Sequence, residues 1–151
     1  MDPNELLRHE AEAWAAFLAQ AHRVPAERWA DPDVVPGWSV HDLVWHCGRW
    51  TEYAAELMDE ITAGVYEDAQ FPEAYWQGLN ASWAMESKLR SREAVVTATE
   101  LRRERARRAL AALPGNADAE REFSSETFEH YEEHAAEIAA FADRLAADGT
   151  G

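Results

Sequence analysis

At 151 residues, with 47% apolar content and seven tryptophans, the chain suits one domain, residues 1–151, and carries enough apolar material for one sizeable core. A formal charge of −15 argues against nucleic acid or an anionic membrane as a partner, because neutralising phosphate takes a surplus of lysine and arginine. The longest apolar runs fall far short of the roughly 20 residues that span a bilayer, and the amino terminus MDPNELLRHE is too charged for a signal peptide, so the cytoplasm is the expected location.

Four long helical patterns follow one another, and no segment alternates like a strand. Asp2 as cap and Pro3 at the first helical position open helix 1, which runs to about His22 with Leu7, Ala11, Trp14 and Leu18 on one stripe. VPAERWADPDVVPGW holds three prolines and a glycine and reads as a long crossing connection. Ser39 with Asp42 forms a capping box, Trp38 is placed to staple onto Leu43, and helix 2 then runs to about Gly64. Its stripe is Val40, Leu43, Cys47, Trp50, Ala54, Leu57 and Ile61.

Residues 65–89 form a second long connection, aromatic and partly helical. Ser91 caps helix 3, which extends to Leu113 before PGNADAE breaks it. Helix 4 is expected from Ser124, with Phe123 and Phe128 at the stapling positions and Phe128, Tyr131, Ala135, Ile138, Ala142 and Leu145 on its stripe; the tail ADGTG is expected to fray. The fold class is therefore all-α, a four-helix bundle with long connections between helices 1 and 2 and between helices 2 and 3.

Eight of the fourteen basic residues fall between Lys88 and Arg108. LRRERARR has the look of a nucleic-acid patch, but Glu100 and Glu104 interleave with the arginines, which reads better as a solvated helix face pairing with acidic neighbours. The one cysteine, Cys47, lies on the core stripe of helix 2 and reads as an inert thiol.

In FEHYEEHAAEI, His130 and His134 stand four positions apart, one above the other on a helix face. Such a pair permits a metal site without requiring one, since a third ligand must come from elsewhere. His46 lies beside the core stripe of helix 2 as His130 and His134 lie beside that of helix 4, so the two helices can bring three imidazoles together. The alternative is coincidence, with histidines that serve only packing. The zincin motif is absent: Tyr131 stands where the general-base glutamate is needed.

VPGWSVHDLVWHCGRWTEY resembles the start of helix 2 in the DinB-like superfamily, which includes the amino-terminal domains of mycothiol-dependent maleylpyruvate isomerases. The matching positions are Trp38, Ser39, Asp42 and His46. FEHYEEHAAEI resembles that family's helix 4, and NASWAMESKLRSREAVV its approach to helix 3. The resemblance implies a four-helix bundle holding a divalent metal, zinc or nickel, through His46, His130 and His134. It departs from the isomerase branch at His130, where that branch has glutamate, and no residues are left for the isomerases' second, carboxy-terminal domain.

The function this implies is thiol-dependent S-transfer to a small electrophile, with a low-molecular-weight thiol as co-substrate. The alanine- and arginine-rich composition points to a high-GC source and so to mycothiol. The catalytic agent would be a metal-bound thiol or water. Asp42 is a candidate to orient the free ring nitrogen of His46. Arg49 is a candidate to bind a carboxylate of thiol or substrate, with an ion pair to Glu52 or Glu56 as the alternative. Trp50 and Tyr131 stand beside the histidines as candidates to support the ligands or to touch substrate. A non-catalytic binding or self-resistance protein, with Trp38, Trp50, Trp76, Trp83 and Tyr131 walling a pocket, and a metal-dependent hydrolase are the competing readings. The partners expected are a small molecule and, in a homodimer, a second copy of the chain.

Overall fold

In a computed structural model, which describes residues 2–149, helix α1 spans Pro3–His22, with the Asp2 side chain accepting a hydrogen bond from the Asn4 amide at 3.0 Å. A 3₁₀ turn over Ala26–Arg28 interrupts the irregular connection, and α2 spans Val40–Ala63. The predicted capping box is present: Ser39 Oγ accepts from the Asp42 amide at 3.0 Å, and Asp42 Oδ2 accepts from the Ser39 amide at 3.2 Å. Gly64 ends α2 in the left-handed region, φ 76°, where a side chain would be strained.

Helices α3, Glu73–Ser87, α4, Arg92–Ala111, α5, Ala117–Glu126, and α6, Phe128–Gly149, complete the chain. All named elements are helical, and among the described residues only isolated bridges at Trp38 resemble sheet pairing. Helix α2 is buried on most of its circumference, from Val40 to Met58, and packs most extensively on α4, with α3 and α5 also against it. Helix α1 packs chiefly on α6.

The connection before α4, expected to be partly helical, contains a 15-residue helix, α3, which seats the buried Trp83 on α2. Two expectations change. Ser124 does not open a helix: Asn116 caps α5 by accepting from the Ala119 amide at 2.9 Å, and Ser124 lies inside that helix. The chain turns at Thr127, φ −113° and ψ −92°, whose Oγ1 returns to the Phe123 carbonyl at 2.7 Å, so Phe123 and Phe128 are buried on two different helices. Helix α6 continues to Gly149, past the point where fraying was expected, and residues 150–151 lie outside the described part.

The core face of α1 is also turned from the expected stripe. Leu6, Glu10, Ala13, Trp14, Phe17 and Ala21 are buried, while Leu7 and Leu18 are only partly so. The cause is Glu10, a carboxylate 1% exposed that accepts two hydrogen bonds from Arg103 and one from Arg107. The arginine-rich face of α4 is accordingly half-buried at Arg102 and Arg103, with Arg102 lying over the Trp45 ring at 4.4 Å.

Candidate metal centre

Helices α2 and α6 bring His46, His130 and His134 side by side. The ring centroids lie 4.8 Å apart for His46 and His134, 5.5 Å for His46 and His130, and 6.2 Å for His130 and His134. Zinc–imidazole bonds of about 2.0–2.1 Å put a ring centroid about 3 Å from the ion, so three tetrahedral ligands have centroids about 5 Å apart. The observed spacing is close to that. As the side chains stand, no group of three or more His, Cys, Asp or Glu among the described residues is arranged to hold an ion; the rings are gathered but do not form a closed site.

Two of the tautomers follow from their partners. Nδ1 of His130 faces the Ser125 carbonyl at 3.0 Å; a carbonyl only accepts, so Nδ1 carries the proton and Nε2 the lone pair. Nδ1 of His134 meets the Glu137 carboxylate at 2.5 Å, which likewise leaves Nε2 with the free lone pair. Nδ1 of His46 is buried with no hydrogen-bond partner, an orphaned atom of the kind a cation satisfies. Burial first, then the neighbouring His134 and His130, pushes the His46 imidazole down to about 2. Burial also holds His130 at about 4, against the opposing pull of the Ser125 carbonyl. Both rings are therefore neutral at pH 7, the state in which imidazole coordinates.

The remaining candidates are placed differently. Asp42 makes no hydrogen bond to His46; its oxygens accept from the Ser39 amide, from Ser87 Oγ and from Lys88 at 3.4 Å. Arg49 donates to Glu52 at 2.9 Å and three times to Glu86, at 2.8, 3.0 and 3.2 Å, so the ion pair anticipated with Glu52 is real and Glu86 is a second partner. Trp50 stacks on His130, centroids 5.1 Å apart and planes 19° from parallel, and its Nε1 donates to Asn80 Oδ1 at 3.1 Å. Tyr131 is fully buried, its hydroxyl donating to Glu10 at 3.0 Å and paired with Thr51 at 3.0 Å, on the core side of α6. Burial pushes the Cys47 thiol well up, consistent with an inert thiol.

A cavity of about 310 Å³ opens over the three histidines, walled by Trp38, Trp50, Leu43, Asn80 and Glu133. A larger one of about 790 Å³ adjoins it, and Trp50 and His130 line both. Of the five aromatic residues proposed as pocket walls, Trp38, Trp50 and Trp76 line a cavity, while Trp83 and Tyr131 are core. Sequence reasoning missed Asn80 and Glu126. Glu126 Oε2 is buried without a partner, and nothing in SSETF marks a carboxyl as buried.

Compared with known proteins, the chain matches the family described as the mycothiol maleylpyruvate isomerase N-terminal domain over residues 7–127. That span includes His46 and stops short of His130 and His134. The crystal structure of an uncharacterised protein from Escherichia coli UTI89 has the same fold, with a TM-score of 0.81 at 14% identity, covering 96% of this chain and 95% of that one. No curated protein matches the chain. Among the described residues no helix is long and apolar enough to cross a membrane.

Proposed function

Because this chain belongs to the mycothiol maleylpyruvate isomerase N-terminal domain family, a DinB-like family, we propose that it is a metal-binding, mycothiol-associated protein catalysing thiol-dependent S-transfer to a small electrophile in the cytoplasm. In this reading α1, α2, α4 and α6 are the four helices of a DinB-like bundle. The observation that carries it is the cluster of three imidazoles at 4.8–6.2 Å, two with their Nε2 lone pairs left free by fixed partners. A zinc or nickel ion held by His46, His130 and His134 would supply Lewis acidity and lower the pKa of a bound thiol.

The chain's own residues do the rest. Glu137 and the Ser125 carbonyl orient the rings. Trp38, Trp50 and Leu43 line the cavity over the histidines and limit the water that competes with the thiol. Glu133, exposed at the edge of the same cavity, is the carboxylate we assign to accept the thiol proton. The thiol sulfur then bonds to the electrophilic carbon as its leaving group departs.

The test is to incubate zinc- or nickel-loaded protein with monochlorobimane, with and without mycothiol. Thioether formed only in the presence of both protein and thiol supports S-transfer. Consumption of the electrophile without thiol favours the hydrolase. Binding without turnover favours a non-catalytic binding protein, the reading to which the 790 Å³ aromatic cavity lends weight.

A further inference from the structure

The larger cavity has walls that a thiol site does not explain. Five carboxyl groups line it, those of Glu60, Glu67, Asp68, Glu122 and Glu126, against the single guanidinium of Arg121. The whole chain carries 29 acidic and 14 basic residues, so the cavity is more one-sided than the molecule. Arg121 is already shared among Asp118 at 3.0 Å, Glu122 at 3.6 Å, Asp68 at 3.8 Å and the Tyr66 hydroxyl at 3.0 Å.

Glu126 is left out of that network. Its Oε2 is buried with no partner, and its Oε1 meets only Ser125 Oγ, at 3.4 Å. Burial, and then the Glu122 carboxylate, push the group up to about 8. The protein surrounds this carboxyl with like charge and gives it no cation of its own, so a cationic ligand would remove a cost already present in the fold.

Aromatic faces make up the other wall. Trp50, Tyr53 and Trp76 lie with ring centroids 5.4, 5.4 and 6.0 Å apart, and Phe71 and Tyr75 pack on Trp76 at 5.4 and 4.9 Å. Phe71 and Tyr75 remain 43% and 47% exposed, so their rings form an open apolar patch at the cavity's edge. Aromatic faces attract organic cations and carboxylates repel anions; a neutral ligand could use the carboxylates only as hydrogen-bond acceptors, whereas a cation is favoured by both walls.

We propose that this cavity binds an organic cation, an amine or quaternary ammonium on an apolar body, with Glu126 as its counter-charge and Trp50, Tyr53 and Trp76 as its cage. Binding does not depend on the thiol-transfer reading, because Glu126, Tyr53 and Trp76 line only the larger cavity.

Calorimetric titration of chelator-treated protein at about pH 8.5, where Glu126 is ionised, reads this cavity without the metal. The probes are para-(hydroxymethyl)phenyltrimethylammonium, its neutral isostere para-tert-butylbenzyl alcohol, and para-(hydroxymethyl)benzoate, whose charges are fixed at this pH. The cation is expected to bind about tenfold or more tighter than the isostere, with no binding of the anion. Glu126→Gln, isosteric and uncharged, should weaken the cation several-fold and leave the isostere unchanged, while Trp76→Ala weakens both. Equal affinity for cation and isostere, no heat from the cation at millimolar concentration, or unchanged cation affinity in a natively folded Glu126→Gln would each overturn the proposal. None of these results depends on whether the loaded protein turns over a thiol.

Discussion

Nδ1 of His134 donates to the Glu137 carboxylate at 2.5 Å, one helical turn further along α6. The pair holds the ring in place and leaves Nε2 as the nitrogen of His134 with a free lone pair. Glu137→Gln keeps an acceptor but loses the charge, so metal affinity should fall about 10–100-fold. His134→Ala should remove stoichiometric metal altogether, with helical circular dichroism intact because apolar burial rather than an ion holds a chain of this length together. Elemental analysis of untagged protein reads both. One-to-one metal retained in His134→Ala would reject the ligand set, and unchanged affinity in Glu137→Gln would mean the ring is oriented by something else.

The same site predicts how metal-free protein responds to acid. His46 is held at about 2 and His130 at about 4, burial being the larger cause for each. Both take up protons near 6.5 when unfolded, so below that pH the unfolded chain binds more protons and stability falls. Each group contributes at most about 1.4 kcal/mol per pH unit, His130 down to about pH 4 and His46 further. Glu126, raised to about 8, acts in the opposite sense: acidification from about 8 toward 4.5 stabilises the fold. Comparing variants cancels that term. Between pH 6.5 and 5, wild type should lose about 1–2 kcal/mol more than His130→Gln in urea denaturation with chelator present. Parallel losses would show that His130 is not held neutral.

What was legible in the sequence was what depends on neighbours in the chain. The Ser39–Asp42 capping box is a four-residue device, and α2 begins where it says. His130 and His134 follow helical spacing, and the position of His46 beside the stripe of α2 was enough to bring it to them. What failed depends on distant partners. Glu10 reads as solvent-facing until Arg103, 93 positions away, is placed against it, and that error turned the predicted face of α1. The α5–α6 turn at Thr127 contains neither glycine nor proline, so the periodicity ran through it unmarked. Glu126 was hidden for the same reason, since its burial is created by that turn and the packing around it.

Gly48 lies at a close approach of α2 to α4. A Cβ there would collide with Thr99 Oγ1 and stand 3.2 Å from Thr99 Cβ, and that hydroxyl bridges the helices by donating to the Val44 carbonyl at 3.2 Å. Alanine is favoured over glycine in a helix by about 1 kcal/mol, but overpacking a tight contact costs about 1–3 kcal/mol. Gly48→Ala should therefore destabilise the protein by up to about 2 kcal/mol in urea denaturation. In a Thr99→Ala background, where Oγ1 is gone, the same substitution should be close to neutral. A stabilising effect in the wild-type background would mean that α4 can withdraw without loss.

The Glu10 network predicts a separation between stability and site. Arg103 donates to Glu10 through Nε at 2.6 Å and Nη2 at 2.8 Å, Arg107 adds 2.8 Å, and the Tyr131 hydroxyl 3.0 Å. With Glu10 1% exposed, removing the carboxylate leaves Arg103 half-buried with Glu100, at 2.7 Å and itself largely in solvent, as its remaining counter-charge. Glu10→Ala should cost about 3–5 kcal/mol. Replacing both partners, Glu10→Met with Arg103→Met, removes both desolvated charges and should cost far less, because a buried ion pair recovers little beyond its own desolvation. Tyr131 follows His130 directly but points to the core, where Thr51 still partners its hydroxyl. The double variant should therefore bind metal with the wild-type stoichiometry and affinity. If metal affinity falls with the ion pair while the fold remains intact, the Glu10 network positions His130 as well as holding α1 to α4.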